Sequence, residues 1–261
     1  MADELIRFND GAAYERMMGG WSRIAGDIFL DWLAPTAGLR WVDVGCGNGA
    51  FTEAIVQRCA PAEIQGVDPS EGQIAFARTR EAARPAVFQL GDAMALPFAD
   101  GAFDAAVMAL VIFFVPDPAK GVAEMVRVVA PGGLVAAYAW DMEGGGFPLH
   151  PIQAELRAMG VVPVLPPRAD ASRIDALQAL WTGAGLQGVE TRQIEVQRRF
   201  ADFEDFWSSA MLGVSIATTI AAMPAADVTL LKNRVCASLG GPAGPLLLRA
   251  RANAVKGRVP A

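Results

Sequence analysis

The feature that most constrains the fold is a short apolar run that leads directly into a glycine-rich turn, VDVGCGNGAF at residues 42–51. Gly45, Gly47 and Gly49 stand at alternate positions, so the backbone there can adopt positive φ angles and approach a ligand closely. Asn48 also tolerates a positive φ angle better than most residues do. The apolar run before the turn and the helical pattern after it predict a strand, a turn and a helix in that order.

Strand and helix patterns alternate over the first half of the chain. The predicted strands are 41–45, 63–68, 86–92, 103–111 and 134–140, and the predicted helices between them are 51–59, 70–83 and 117–129. This alternation predicts a parallel sheet with right-handed crossovers and helices on both faces. Ligands of such sheets bind beyond the carboxyl ends of the strands, where the strand order reverses. The glycine turn falls at that place if 41–45 is the central strand.

Local signals mark the ends of two of these helices. Ser70 and Gln73 predict a capping box, in which each side chain accepts a hydrogen bond from a free amide of the first turn. Asp117 is the predicted N-cap of the later helix, with Pro118 at its first position. The run PGG at 131–133 is expected to end that helix.

Outside this region the pattern is less regular. Residues 13–33 place apolar side chains at helical spacing, 189–200 alternate as a strand does, and 245–257 form the last predicted strand. The predicted fold class is α/β: a doubly wound, Rossmann-like sheet of about seven strands, mostly parallel, with helical cap elements from the N-terminus and the C-terminal half. We expect a single domain over 1–261, with a cap at 1–35, a cofactor-binding half at 36–140 and a substrate-side half at 141–261.

The composition argues against several classes of function. The chain of 261 residues is 53% hydrophobic, and its 28 acidic against 22 basic residues argue against nucleic-acid binding. No apolar run reaches the ~18 to 20 residues that span a bilayer, and the start, MADELIRFND, lacks a signal-peptide core. Three cysteines without metal-type spacing and a single histidine predict no metal site. We expect a cytoplasmic protein without membrane insertion, and nothing in the sequence indicates its oligomeric state.

The glycine turn alone leaves its ligand open. GCGNGA also satisfies the dinucleotide pattern G-x-G-x-x-A, which is weak by itself, while no Lys-Ser/Thr follows to make a nucleoside triphosphate loop. Asp68 closes the second strand, where a carboxylate can accept hydrogen bonds from both hydroxyls of a ribose; this suits NAD and an adenosyl group equally. Asp92, at the end of the third strand, falls where the edge of an adenine would lie. Ala93 and Met94 follow it with a backbone amide and an apolar contact.

Four motifs in order resemble a known family. VDVGCGNG, VDPSEGQIAFAR, GDAMALPFADGAFDAAVMALVIFFVPDP and EMVRVVAPGG are similar to those of the class I S-adenosylmethionine-dependent methyltransferases, in particular the small-molecule, ubiquinone/menaquinone-biosynthesis type (type 11). The resemblance covers residues 13–140. It implies S-adenosylmethionine as cofactor and methyl transfer to a small-molecule acceptor by in-line displacement.

The resemblance also implies which residues meet the cofactor. The glycines should line its methionine part, with Asp43 near the amino group; Asp68 should hold the ribose, and Asp92 the adenine edge. The whole implied set is Tyr14, Met18, Trp21, Asp43, Gly45, Cys46, Gly47, Asn48, Gly49, Asp68, Pro69, Ser70, Asp92, Ala93, Met94, Ala109, Leu110 and Phe114. For Asp43 the alternative is a purely local role in orienting the turn. For Met18 and Trp21 it is core packing.

The sequence shows no obvious catalytic base. Many relatives have a histidine just after the fourth strand, where this chain has Phe113 in VIFFVPDP. A base is needed only if the attacking atom must lose a proton. The candidates after the fifth strand are Tyr138, Asp141 and His150.

The acceptor pocket is expected to be apolar or aromatic. Its predicted lining comes from the N-terminal helix, the loop at 142–148 and the region 203–216, with Phe147, Phe206, Trp207, Met211 and Leu212. Two other functions stay open: an NAD-dependent oxidoreductase, and a cofactor-binding protein that transfers no methyl group.

Overall fold

The structure, a computed structural model, describes residues 15–261, apart from the side chains at positions 15, 16, 214 and 215. The strands are β1 (Arg40–Val44), β2 (Glu63–Asp68), β3 (Val87–Leu90), β4 (Phe103–Ala109), β5 (Val129–Trp140), β6 (Gln187–Phe200) and β7 (Leu246–Arg258). The helices are α1 (Gly20–Leu33), α2 (Ala50–Cys59), α3 (Glu71–Ala77), α4 (Pro118–Val128), α5 (His150–Ala158), α6 (Ile174–Gly183), α7 (Phe203–Ala210), α8 (Val214–Ala221) and α9 (Ala225–Ser238). One π-helical turn, Glu15–Gly19, precedes α1.

The seven strands form one sheet in the order β3-β2-β1-β4-β5-β7-β6. Strands β1 to β5 run parallel to one another, while β7 pairs antiparallel with both β5 and β6. The chain runs outward from β1 to β3 and then returns to the other side of β1 with β4. The predicted α/β, doubly wound and mostly parallel sheet is therefore confirmed, and the strand order reverses between β1 and β4.

The parallel strands are apolar on both faces because helices cover both. Every residue of β1 from Trp41 to Val44 is buried, and the stretch of β5 from Leu134 to Trp140 is buried throughout. Helix α1 packs its apolar side against β6 and α2. This packing fixes α1 beside the carboxyl ends of the parallel strands.

Strand β5 begins earlier than the sequence predicts. The run PGG was expected to end α4, but α4 ends at Val128 and the chain enters β5 at once. Val129 pairs with Phe103 of β4, and the register shifts before Ala105 pairs with Leu134. The residues between form an irregular start of the strand, because a β-bulge accommodates extra residues without ending the pairing.

The predicted capping box of α3 is only half formed. Ser70 Oγ accepts from the Gln73 amide at 3.3 Å, as expected. The reciprocal bond is missing because the Ser70 amide donates to Asp68 Oδ1 at 2.9 Å instead. Helix α3 is also shorter than predicted; it ends at Ala77, and a separate 3₁₀ turn covers Glu81–Ala83. The predicted Asp117 cap of α4 is confirmed, with Oδ1 accepting from the Lys120 amide at 3.1 Å.

Candidate functional site

A cleft of about 1270 Å³ opens at the carboxyl ends of β1, β2, β3 and β4. Its floor is the glycine turn after β1 and the turns that follow β2 and β3. One wall comes from α1 and the start of α2, and the opposite wall from residues 109–116 and Tyr138. The cleft lies where the strand order reverses, which is the ligand-binding position of open α/β sheets.

The glycine turn has the conformation that its sequence predicts. Gly45, Gly47 and Gly49 have φ angles of +75°, +52° and +79°. A Cβ on Gly45 would lie 2.5 Å from Val111 Cγ1, so this position is closed to larger residues. A Cβ on Gly47 would meet no atom within 4 Å, because this residue faces the open cleft. Gly47 therefore leaves space for a ligand at the backbone itself.

Asp68 links the glycine turn to the turn after β2. Its Oδ2 accepts from the Gly47 amide at 2.9 Å, and its Oδ1 accepts from the Ser70 amide at 2.9 Å. An ionised carboxylate offers about four acceptor positions, so two remain for hydroxyl groups in the cleft that Asp68 lines. Burial raises the pKa of Asp68, and the two amide hydrogen bonds oppose that rise.

Asp43 lies beneath the turn and does not line the cleft. It is fully buried, and its Oδ2 accepts from Thr52 Oγ1 of α2 at 2.6 Å. Its Oδ1 has no hydrogen-bond partner within residues 15–261. Burial raises the pKa of Asp43 to about 7, while the bond from Thr52 lowers it and the charge of Asp68 raises it further. Asp43 thus links β1 to α2 by its hydrogen bond with the Thr52 side chain. The predicted local role was to orient the turn.

The other predicted cofactor residues divide into two groups. Those that line the cleft are Gly45, Cys46, Gly47, Asn48, Asp68, Pro69, Ser70, Asp92, Ala93, Ala109, Leu110 and Phe114. Asp43, Gly49 and Met94 lie just outside the lining, and Met18 and Trp21 are buried in the core. Trp21 packs on Phe200 of β6, with ring centroids 6.2 Å apart. Tyr14 lies outside the described residues.

The wall after β4 is apolar, as the missing histidine implied. Phe113 is buried and packs edge-on against Phe114, with centroids 4.7 Å apart. Phe114, Val115 and Pro116 line the cleft, and Phe113 does not. Leu110 has a φ angle of +62°, and its amide donates to the Tyr138 carbonyl at 2.7 Å. No imidazole therefore enters the cleft at this point.

Of the three candidate bases, Tyr138 alone lines the cleft. Its ring packs between Phe29 and Phe51, with centroid distances of 4.7 and 5.7 Å. Asp141 lies away from the lining; its Oδ2 pairs with the Arg251 guanidinium, at 3.1 Å from Nε, and its Oδ1 accepts from the Gly144 amide. His150 begins α5, also outside the lining, and its pKa is lowered by burial and by Arg157.

The aromatic residues expected around the acceptor lie elsewhere. None of Phe147, Phe206, Trp207, Met211 and Leu212 lines the cleft. Phe206 packs on Phe200 at 5.4 Å and Trp207 packs near Phe203 at 5.9 Å, so both belong to the core beneath α7.

Sequence reasoning missed the cleft-facing side of α1. Gly19, Ser22, Arg23, Gly26 and Asp27 line the cleft, together with Phe51 and Ala54 of α2. The signal was present in the spacing, because these positions recur at three and four residues along the helix and therefore share one side of it.

Comparison with known proteins identifies a similar domain within the chain. Residues 42–137 match the family described as "Methyltransferase domain". The ubiquinone/menaquinone biosynthesis C-methyltransferase UbiE of Dinoroseobacter shibae is 38% identical over 121 residues, which cover 45% of this chain and 48% of that protein. The chain thus spans about half the length of this curated relative.

Two solved structures share the fold over nearly the whole chain. The YcgJ protein from Bacillus subtilis has a TM-score of 0.59 at 17% identity, covering 92% of this chain and 99% of that one. Phosphoethanolamine N-methyltransferase 2 of Haemonchus contortus, in complex with S-adenosyl-L-methionine, has a TM-score of 0.58 at 16% identity, covering 95% of this chain and 56% of that one. Residues 42–137 are thus similar to a methyltransferase domain, and the chain shares the fold of these two solved structures.

Two negative findings complete the description. Among residues 15–261, no helix is long and apolar enough to cross a membrane. The same part of the chain holds no cluster of three or more histidine, cysteine or acidic side chains that could bind a metal ion.

Proposed function

We propose that this protein binds S-adenosylmethionine in the cleft and transfers its methyl group to a small acceptor. The observation that carries the proposal is the position of Asp68. Its carboxylate lines the cleft at the end of β2, tied to Gly47 and Ser70 by one oxygen each, with acceptor positions left on both oxygens. A ribose presents two adjacent hydroxyls, which match two adjacent acceptors.

The residues around Asp68 fit the rest of the cofactor. The methionine part would lie against the backbone of Gly45 and Gly47, where the open side of Gly47 leaves room. The adenine would lie toward Asp92 and Ala93, which line the cleft beyond Asp68. Asp92 Oδ1 already accepts from the Met94 amide at 2.8 Å, so its second oxygen is the acceptor that an exocyclic amine would use.

One residue in this region adds to the expected set. Gln73 lines the cleft, is buried, and its Oε1 has no hydrogen-bond partner within the described residues. We assign it to the wall beside Pro69 and Ser70. The Gln73 side chain does not form the predicted capping bond to the Ser70 amide, since that amide already donates to Asp68.

Methyl transfer from a sulfonium needs few catalytic side chains. The sulfonium of S-adenosylmethionine supplies an electrophilic methyl group that a nucleophile attacks in line. The protein's part is to orient the acceptor and to exclude water, and orientation alone supplies roughly 7–11 kcal/mol in favourable cases. Phe51, Phe114 and Val115 give the cleft an apolar wall for this purpose. Of the three candidate bases only Tyr138 lines the cleft, and its side chain is almost fully buried.

The oxidoreductase alternative is not favoured. The turn satisfies the dinucleotide pattern, but the domain match over residues 42–137 is to methyltransferases. Binding measurements can distinguish the two functions. S-adenosylmethionine and NAD would both use Asp68, but only one of them would be bound tightly.

Calorimetric titration with S-adenosylhomocysteine tests the proposal. We expect micromolar or tighter binding to the wild type and a loss of at least about 30-fold in Asp68→Ala, since each charged hydrogen bond contributes roughly 1.5–3 kcal/mol. Asp175→Ala is the matched control, because Asp175 is an exposed acid paired with Arg173 on another face. Thermal unfolding of both variants separates lost binding from lost folding. Absence of binding to the wild type, or tighter binding of NAD, would overturn the proposal.

A further inference from the structure

The two ends of the glycine turn are held by packing, but its middle is not. A Cβ on Gly45 would lie 2.5 Å from Val111 Cγ1. A Cβ on Gly49 would lie 3.0 Å from the Ala77 side chain. A Cβ on Gly47, between them, would meet no atom within 4 Å. The position of the turn at Gly47 therefore depends on the hydrogen bonds that its backbone forms.

Two charged side chains, from the end of β2 and from the segment after it, bind this part of the turn. Asp68 Oδ2 accepts from the Gly47 amide at 2.9 Å. Arg80 also lines the cleft, and its Nε donates to the Asn48 carbonyl at 2.6 Å. Hydrogen bonds with one charged partner are roughly twice as strong as those between neutral groups. The middle of the turn is thus held on an amide by an acid and on the next residue's carbonyl by a base.

The Arg80 guanidinium is itself held in place. Its Nη1 pairs at 2.8 Å with Oε2 of Glu53, which lies in the first turn of α2. The Arg80 side chain is only 15% exposed, and its Cζ lies 5.6 Å from the centroid of the Phe76 ring. The Glu53 amide donates to the Gly49 carbonyl at 2.9 Å. Both members of this ion pair are therefore bonded to the backbone of the glycine turn.

We infer that Arg80 is a positioning residue of the cofactor site, which keeps the glycine turn where Asp68 can bind the ribose. The inference rests on the proposed function. Asp68 Oδ2 serves both the Gly47 amide and the proposed ribose, so a displaced turn would also displace this acceptor. A site whose supporting bonds are already formed loses no binding free energy to the ordering of its backbone. Arg80 acts here through the turn and needs no contact with the ligand.

The test compares the binding of S-adenosylhomocysteine with that of its 2′,3′-dideoxy analogue by calorimetric titration. Only the first ligand has the hydroxyls that Asp68 would bind, so the ratio of the two dissociation constants reports the ribose bonds. We expect a ratio of about 30 or more in the wild type. Arg80→Met keeps an unbranched side chain but removes its donors. It should lower the ratio by about fivefold or more, with a loss of about tenfold in affinity for S-adenosylhomocysteine.

Two further variants separate positioning from a general loss of stability. Arg84→Met removes an exposed arginine that pairs with Glu81 outside the cleft, and it should keep the wild-type ratio. Arg80→Lys should keep part of the ratio, because an ammonium can donate to the Asn48 carbonyl but lacks the fork that also reaches Glu53. A general loosening of the fold would weaken both ligands alike and leave their ratio unchanged. Thermal unfolding of each variant measures that loosening directly.

The outcomes distinguish this inference from the proposed function. If the wild type binds neither ligand, or binds both equally, the proposed function fails and the inference fails with it. If the wild type prefers S-adenosylhomocysteine and Arg80→Met keeps the full preference, the role of Arg80 is overturned while the proposed function stands. Should Arg80→Met not fold, Arg80→Lys decides, and an unchanged ratio in that variant would overturn the inference.

Discussion

The floor of the cleft and the wall formed by α1 are built in different ways. The floor consists of backbone at fixed angles, with Gly45, Gly47 and Gly49 at positive φ and Asp68 bonded to two amides. The wall consists of side chains on a helix, whose positions depend on how α1 packs against β6 and α2. A backbone site tolerates few substitutions, whereas a helix face can change residue by residue. The floor therefore suits a constant cofactor, and the wall suits a variable acceptor.

The sharpest test of this contrast is Gly45→Ala. The new Cβ would meet Val111 Cγ1 at 2.5 Å, and the residue would be held at a φ angle of +75°. Overpacking and left-handed strain together should lower the free energy of unfolding by about 2–5 kcal/mol, measured by urea denaturation. Cofactor binding should fall with it.

Gly38→Ala is the matched control, because Gly38 has a φ angle of +81° but open space where the Cβ would stand. Gly38→Ala should lower the free energy of unfolding only by the cost of the left-handed backbone strain, about 1–2 kcal/mol. Equal losses in the two variants would show that the close packing under the floor contributes nothing.

The second test is the pH dependence of stability that Asp43 causes. Its pKa is raised to about 7 in the folded protein by burial, so the folded state holds this proton where the unfolded chain has released it. The stabilisation is fully present below the unfolded pKa of about 4 and is lost as the pH rises through about 7, on the order of 4 kcal/mol in all. Asp43→Asn should lack this part of the decline.

The measurement is the free energy of unfolding of both proteins between these two pH values. The groups around residue 43 are the same in the wild type and in Asp43→Asn: the charged Asp68, the Cys46 thiol and the Thr52 hydroxyl. The difference between the two stability curves therefore reports the titration of Asp43 alone. Parallel curves for the wild type and Asp43→Asn would contradict a raised pKa.

The third test concerns the C-terminal half, where we expect an effect on stability without an effect on the cleft. Arg251→Ala leaves the buried Asp141 carboxylate with the Gly144 amide but without its ion-pair partner. The partly exposed arginine limits the loss to about 2 kcal/mol of unfolding free energy. Affinity for S-adenosylhomocysteine should stay unchanged, since neither residue lines the cleft. A large loss of affinity would mean that the two halves are coupled.

The same contrast explains what the sequence predicts well. Buried strands such as β1 are apolar throughout, and their alternation with helices determines a parallel sheet almost by itself. The glycines of the turn predict its conformation equally well, because few other residues tolerate positive φ angles. Asp68 follows from its place at the end of β2. These predictions depend on backbone conformation, which is a local property of the chain.

The wall could not be predicted in this way, because an apolar side chain looks the same in a core and in a pocket. Phe206 and Trp207 were expected at the acceptor, but they pack among Phe200 and Phe203. The need for a glycine at position 26 can be seen only in the structure, where Phe51 and Tyr138 pack closely against it. The start of β5 was missed for a related reason, since the pairing of Val129 with Phe103 is a long-range contact.

The most direct test of the central claim is a crystal structure of the protein with S-adenosylhomocysteine. We expect both ribose hydroxyls on the Asp68 carboxylate and the amino-acid end of the ligand over Gly47. A ligand bound elsewhere, or one that leaves Asp68 without a contact, would contradict it.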